Sequence, residues 1–213
     1  MRRFLLRFLI FLNLVYLNFS CNSYSHMQKI QTDNSCVLKF KPDFNHVIFK
    51  TSAEATGKHF SGLLLVKSMP DSSTRIQFSS ETGLSFFDFG FLSGNGFNVY
   101  QIIPDLNNKA LIKTLRKDFE LVLFKNMDSS DGIALSDGNL LYHRFPQAKG
   151  VNYFVTDDSC RNLIKMQRAS NTKPVMEARI FNDGSMVPDS ISIRHLNFNF
   201  SISLKKITTL APE

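Results

Sequence analysis

The sequence predicts a mainly β domain of the α+β class, built from an antiparallel sheet with one amphipathic helix packed against it. Three observations support this prediction. From residue 36 onward, apolar residues recur mostly at every second position, which is typical of strands with one buried face. Short segments rich in Gly, Asn, Asp and Ser separate these strands, as they do in antiparallel hairpins. One stretch, residues 105–127, instead repeats its apolar residues at intervals of three and four.

Length and composition limit the classes of protein to which the chain can belong. Of its 213 residues, 43% are hydrophobic and 20% are charged, which is typical of a single globular domain and not of a disordered or polytopic membrane protein. The formal net charge is +7, and removal of a leader that contains Arg2, Arg3 and Arg7 would leave +4. Because the remaining cations are scattered along the sequence, we expect no nucleic-acid partner.

Residues 1–20 have the pattern of a secretory signal peptide that ends before Cys21. A basic start precedes an apolar run at residues 8–19, which is shorter than the roughly 20 residues that cross a bilayer. Ser20 places a small side chain before Cys21, and residues 21–35 form a polar segment without periodicity, which predicts a tether. Two interpretations remain: either Cys21 is acylated and anchors the protein to a membrane, or the leader is an ordinary signal peptide and Cys21 is incidental.

Strands are predicted before the helix from their alternation. In one of them Ile76 and Phe78 share a face, and in the next Phe87, Phe89 and Phe91 do so. Turn residues between these strands indicate a meander of sequential antiparallel neighbours. The predicted strands are residues 38–40, 46–51, 62–67, 74–79, 84–92 and 97–103.

The helix at residues 105–127 is the clearest of the chain, and we expect Pro104 to begin it with Asp105 as its cap. Strands resume after a loop at residues 128–132. We expect residues 158–168 to form a short second helix. The later predicted strands are residues 139–145, 151–156, 174–182 and 191–207, the last being one long strand with two faces.

Two further cysteines bear on the cellular compartment. If Cys21 carries lipid, Cys36 and Cys160 remain, an even number in an exported chain. They either form a disulfide or are two small buried apolar side chains, since sequence does not give the distance between them.

A search for catalytic and metal-binding motifs predicts neither an enzyme nor a cofactor. None of the five His residues has the spacing of a helical zinc site, and each is expected at the surface or at a strand end. Asp88 lies in an Asp-Phe-Gly tripeptide without the other kinase motifs, so we expect it to face solvent on a strand.

The density of apolar side chains on the strands is the most informative feature. If the sheet curves beneath the helix, these side chains either fill its inner face or line an apolar cavity suited to acyl chains. Both alternatives are compatible with the sequence. The candidates for such a lining are Leu63, Leu65, Ile76, Phe78, Phe87, Phe89, Phe91, Phe198, Phe200 and Ile202.

The order of these parts resembles the LolA/LolB lipoprotein-carrier superfamily, and in particular its membrane-anchored LolB type with a Bacteroidetes-like leader. The resemblance is carried by the leader ending at Cys21, the strands around residues 60–62 and 74–84, the helix, and residues 188–193 before a basic last strand. It implies that residues 36–213 form one curved antiparallel half-barrel with the helix packed across it and a cavity for acyl chains. It also implies a protruding loop, with Leu84 as the candidate for its apolar tip.

Two main functional hypotheses follow. The first is a monomeric lipoprotein on the periplasmic face of the outer membrane that binds acyl chains or other lipoproteins. The second is a non-enzymatic interaction lipoprotein whose barrel is filled. An exported hydrolase is a third and weaker hypothesis, because no nucleophile with a base can be named from the sequence.

Overall fold

The computed structural model describes residues 23–55, 57–127, 133–182 and 185–207. The predicted signal peptide and Cys21 lie outside these residues. Within them the chain forms strands, one α-helix and short 3-10 helices at Asn34–Phe40, Ser93–Asn95 and Pro104–Leu106. The strands and the helix are β1 (Gln28–Ile30), β2 (His46–Ala55), β3 (Lys58–Ser68), β4 (Thr74–Ser79), β5 (Ser85–Phe91), β6 (Phe97–Ile102), α1 (Lys109–Val122), β7 (Ile133–Ser136), β8 (Leu140–Pro146), β9 (Val151–Asp157), β10 (Leu163–Ala169), β11 (Pro174–Phe181), β12 (Ser190–His195) and β13 (Ser201–Lys206).

All of these strands belong to one antiparallel sheet, which confirms the prediction of a mainly β fold. Its order is β1-β7-β8-β9-β10-β11-β12-β13-β2-β3-β4-β5-β6. The strands from β7 to β13 and from β2 to β6 are therefore sequential meanders, and the pairing of β13 with β2 joins them. The sheet is open, because β1 and β6 are its two edges and do not pair with each other.

Two adjacent residues of α1 show how strongly this sheet bends. Asp118 contacts Arg168 of β10, with 2.6 Å between oxygen and nitrogen. The Phe119 ring lies 6.1 Å from the Phe87 ring of β5. In the sheet order β10 and β5 are seven steps apart, which would be about 34 Å in a flat sheet with strands roughly 4.8 Å apart. Since neighbouring residues of one helix touch both strands, the sheet wraps around α1.

The wrapped sheet has two apolar clusters, one on each face. The inner cluster contains the buried side of α1 together with residues of nearly every strand from β2 to β13. The smaller outer cluster lies over β8, β9 and β10, where Tyr24 stacks on Tyr153 with ring centroids 4.6 Å apart. Among the residues that the structure describes, no helix combines the length and the hydropathy of a membrane-crossing segment.

The helix begins later than predicted, for reasons of capping. The Asn108 side chain, and not that of Asp105, accepts hydrogen bonds from the backbone amides of Ala110 and Leu111 at 2.8 and 3.3 Å. Asp105 lies in the preceding 3-10 turn, where it forms an exposed ion pair with Lys58. The helix is therefore confined to Lys109–Val122.

Two predictions of secondary structure after the helix are wrong. The second helix at residues 158–168 is absent, because the Asp157 carboxylate accepts hydrogen bonds from the Arg161 amide and the Asn162 side chain and so closes a tight turn before β10. The long last strand is divided into β12 and β13 by a turn that the hydrogen bond from the His195 amide to the Phe200 carbonyl closes.

The described part of the predicted tether is packed onto the domain. The Ser23 amide donates to the Thr172 carbonyl at 2.7 Å, Tyr24 joins the outer cluster, and β1 pairs with β7. The predicted strand at residues 38–40 is also wrong, because those residues end a 3-10 helix whose N-cap is Asp33. The side chains of Tyr24 and Met27 provide the apolar contact that holds this segment, although no alternation in the sequence indicates it.

Candidate functional site

The candidate site is an apolar cavity between α1 and the inner face of the sheet. Its volume is about 20 Å³, which is room for a single water-sized molecule. It is lined by Thr51, Ala53, Ala55, Phe60, Leu64, Phe78, Phe87, Leu106, Leu111, Leu115, Phe200 and Ile202.

The side of the cavity nearest to the helix is formed by three leucines. Leu111 and Leu115 are four residues apart and therefore share one face of α1, and both are buried. Leu106 joins them from the 3-10 turn that precedes the helix. This periodicity is visible in the sequence, and it directs the apolar side of α1 toward the sheet.

The opposite side is formed by inward-facing residues of β2, β3, β4, β5 and β13. Leu64 pairs with Phe78 across β3 and β4, and the Phe78 ring lies 5.7 Å from that of Phe87. The one polar residue of the lining, Thr51, donates its hydroxyl hydrogen bond to the Phe49 carbonyl of its own strand at 3.2 Å. The cavity consequently offers a ligand no free polar group.

Four of the predicted lining residues contact this cavity, and three more belong to the same buried face. Phe78, Phe87, Phe200 and Ile202 line it. The three others, Ile76, Phe89 and Phe91, are buried in the inner cluster beside it.

The prediction for β3 is wrong by one residue. Leu63 and Leu65 are half-buried on the outer face, whereas Leu64 and Val66 point inward. Residues 63–66 are all apolar, so the sequence does not show which of them face the interior. Pairing with β4 decides which residues of β3 point inward, because Val66 lies opposite Ile76, whose own strand alternates clearly.

Phe198 does not line the cavity, because the turn between β12 and β13 carries it to the surface. Its side chain is 52% exposed, and its ring rests against His195 with centroids 4.5 Å apart. Leu84, the predicted loop tip, lies in the loop between β4 and β5 and is 58% exposed. Asp88, expected to face solvent, is instead covered by a bidentate ion pair with Arg75.

A buried polar cluster holds the other side of α1, and sequence reasoning missed it. Asp118 is completely buried and accepts hydrogen bonds from Arg168 of β10 at 2.6 Å and from His195 of β12 at 2.7 Å. Both oxygens of its carboxylate are therefore satisfied by charged or polar donors. One signal was available, since Asp118 interrupts the apolar face of the helix, three residues after Leu115 and four before Val122, but its partners are distant in sequence.

The disulfide lies beside a second buried histidine. The sulfurs of Cys36 and Cys160 are bonded, which selects the first of the two alternatives for these cysteines. His143 Nε2 lies 3.9 Å from the Cys36 sulfur, and Nδ1 contacts the Asn34 amide oxygen at 2.9 Å. Burial lowers the pKa of His143, and the charge of Asp33 opposes that shift only in part. We therefore expect a neutral imidazole here.

This cluster is the place where three potential metal-ligand atoms meet. Those of Cys36, His143 and Cys160 lie within 4.8 Å of one another. In the disulfide form the two sulfurs are not thiolates, the form that binds metals, so the cluster acts as a covalent link between the 3-10 helix at Asn34–Phe40 and the turn that precedes β10.

Comparison with known proteins shows similarity in structure only. No family model and no curated protein sequence matches this sequence. The chain is similar to the crystal structure of a DUF1329 family protein from Desulfovibrio piger, with 8% identity over 82% of this chain and 90% of the other and a TM-score of 0.44. It is likewise similar to a domain named for outer membrane lipoprotein sorting from Vibrio parahaemolyticus, with 7% identity over 82% and 89% and a TM-score of 0.44.

Proposed function

We propose that this chain is a non-enzymatic lipoprotein of the cell envelope that binds acyl chains, such as those of other lipoproteins, between α1 and the sheet. The observation that carries the proposal is the lining of the cavity, in which eleven of twelve residues are apolar and the Thr51 hydroxyl is bonded to backbone. Because such a lining forms no hydrogen bond with a ligand, it favours long saturated chains over polar molecules.

Ligand binding requires α1 to move. Ligand pockets have volumes of about 300–1,000 Å³, and the cavity of about 20 Å³ corresponds to a closed state. The first half of the helix is held over the cavity by apolar contacts of Leu111 and Leu115. An acyl chain would replace those contacts with equivalent ones. The ion pair between Asp105 and Lys58 is exposed and therefore resists opening only weakly.

The anchoring and location of the protein are part of the proposal and rest on the sequence. The leader at residues 1–20 and Cys21 support export and acylation. Several acyl chains on one residue would hold the protein on the membrane durably, since each buried CH₂ contributes about 0.8 kcal/mol. We place it on the periplasmic face of the outer membrane as a monomer.

The small volume of the cavity favours a second candidate, an interaction lipoprotein whose interior is permanently filled. In that case α1 is a fixed part of the core, and partners bind the outer surface. The two candidates differ in one measurable property, which is whether the interior opens to a ligand.

Binding of a triacylated peptide, measured by native mass spectrometry on the purified Cys21→Ala chain, tests the proposal. We expect a one-to-one complex. Ala53→Phe fills the cavity from β2 and should weaken binding at least tenfold. The matched control is Ser52→Phe, which places the same side chain on the outer face of the same strand and should leave binding unchanged.

Because overpacking costs about 1–3 kcal/mol, thermal melting must confirm that Ala53→Phe remains folded. If the Cys21→Ala chain without a further substitution forms no complex, acyl binding is rejected and the candidate with a filled interior remains. Equal weakening by both variants would place the acyl chain on the outer surface instead.

A further inference from the structure

The registers of the sheet bring the three turns that join β8 to β9, β10 to β11 and β12 to β13 to one end of the molecule, where β2 also ends. Val151 pairs with Ala169 and with Pro146, so the β8–β9 and β10–β11 turns lie side by side. Met176 pairs with His195, which places the β12–β13 turn at the same end. We define these turns, residues 147–150, 170–173 and 196–200, as the anchor-side edge.

The described chain begins at this edge. The hydrogen bond from the Ser23 amide to the Thr172 carbonyl fixes Ser23 on the β10–β11 turn, and the stacking of Tyr24 on Tyr153 holds the next residue. Cys21 precedes Ser23 by two residues, so extended chain can carry it no more than about 7 Å away. A membrane anchor on Cys21 would therefore hold the bilayer against this end of the sheet.

The anchor-side edge carries positive charge that suits an anionic surface. Lys149 and Lys173 are exposed in two of its turns. Lys117 of α1 approaches the Lys149 carbonyl at 3.5 Å. Burial lowers the pKa of Lys117, and the neighbouring charges of Arg168, Lys113 and Lys149 lower it further, while Glu120 opposes them.

The same edge also exposes apolar side chains. In the β12–β13 turn Leu196 is 39% exposed and Phe198 is 52% exposed. The Leu196 amide donates to the Val175 carbonyl, so this turn is held beside β11. Aromatic and leucine side chains next to lysines are the combination that enters the boundary between headgroups and acyl chains.

We propose that the anchor-side edge docks on an anionic lipid bilayer, with Lys149 and Lys173 against the headgroups and Phe198 inserted among them. The proposal rests on the proposed acylation of Cys21 and adds an orientation to it. A chain attached only by its lipid would turn freely, whereas a docked chain presents the β3–β4 turn, at the opposite end of the sheet, to the aqueous phase.

The test uses the full chain, reconstituted through its own anchor into phosphatidylcholine vesicles with and without phosphatidylglycerol. A fluorophore is placed on Asn197→Cys, beside Phe198, or on Pro70→Cys in the β3–β4 turn. With phosphatidylglycerol present, a quencher attached to the lipids should reach the label at position 197 and not that at position 70. Lys149→Ala with Lys173→Ala should lower the ratio of docked to undocked protein about 25-fold, or roughly fivefold per lysine.

Lys41→Ala with Lys67→Ala, two exposed lysines at the opposite end, is the matched control and should change nothing. If the protein floats with the vesicles and a water-soluble quencher reaches both labels equally, the proposed orientation is wrong, whereas attachment through the lipid anchor is supported. A chain that does not float with the vesicles overturns the anchor and the orientation together, and leaves acyl binding in the cavity unaffected.

Discussion

The two sides of the interior hold α1 in different ways. On the side of β4, β5 and β6 the contacts are aromatic, with Phe119 of the helix beside Phe87 and Phe91. On the side of β8 to β12 apolar residues such as Phe154 and Met166 are buried as well, but there the helix has an additional polar attachment through the buried Asp118. For that reason we call it the polar side. Apolar contacts can be exchanged for others at little cost, whereas a buried charge depends on its particular partners. For the opening that we propose, this difference predicts that α1 pivots about Asp118.

Loss of the Asp118 carboxylate should have the largest effect on stability. Asp118→Ala leaves the buried His195 and the partly buried Arg168 without their partner, and we expect the free energy of unfolding to fall by about 3–5 kcal/mol. The control on the same helix is Leu115→Met, which conserves volume at the cavity and should cost less than about 1.5 kcal/mol. Urea denaturation followed by circular dichroism measures both.

If the two variants lose similar amounts of unfolding free energy, the polar contacts of α1 are no more sensitive to substitution than its apolar contacts. In the Asp118→Ala chain α1 is no longer held by this carboxylate, and we therefore expect acyl chains to bind faster. If stability falls while the rate of acyl binding is unchanged, Asp118 is not the pivot.

Removal of the disulfide should have the next largest effect. Cys36 and Cys160 are separated by 124 residues in sequence, and cross-links over long loops typically contribute about 2–4 kcal/mol. We expect Cys36→Ala with Cys160→Ala to lower the urea midpoint accordingly. Because the link ties the 3-10 helix to the β9–β10 turn, away from the cavity lining, acyl binding should persist. Loss of binding in a chain that remains folded would show that the polar side shapes the cavity as well.

Sequence alone anticipated the aromatic side better than the polar side. The alternation of Phe87, Phe89 and Phe91 predicts their shared face directly, because a strand repeats every two residues. His143 and His195 were expected at the surface or at a strand end. His195 does end β12, yet both side chains are buried by partners far along the chain. A buried polar residue differs from an exposed one only in its partners, and these are set by the topology, which local periodicity does not contain.

The same limit explains the cavity. The leucines of α1 were predictable from their spacing, and so was part of the wall from Phe78 and Phe87. The inward phase of Leu64 required its pairing with Phe78 across two strands. Volume was not predictable, since it depends on how closely α1 approaches the sheet.

The smallest expected effect concerns pH, and it should appear on the polar side alone. Because burial lowers the pKa of His143 below the ordinary imidazole value near 6.5, the unfolded chain binds the proton more readily than the folded one. The contribution of the neutral His143 to the free energy of unfolding should be fully present above about pH 6.5 and should decline as the pH falls toward 5. Urea midpoints measured across this range should show a smaller decline for His143→Gln than for the wild type, although loss of the contact with Asn34 lowers stability by a constant amount.

His46→Gln provides the matched control, since His46 is exposed at the start of β2, away from the polar cluster. It should leave the decline between pH 6.5 and 5 as it is in the wild type. Carboxylates contribute little in this range, because their ordinary pKa values are about 4. If stability declines equally in His143→Gln and in the wild type, another group binds the proton, and His143 does not make the polar side sensitive to pH.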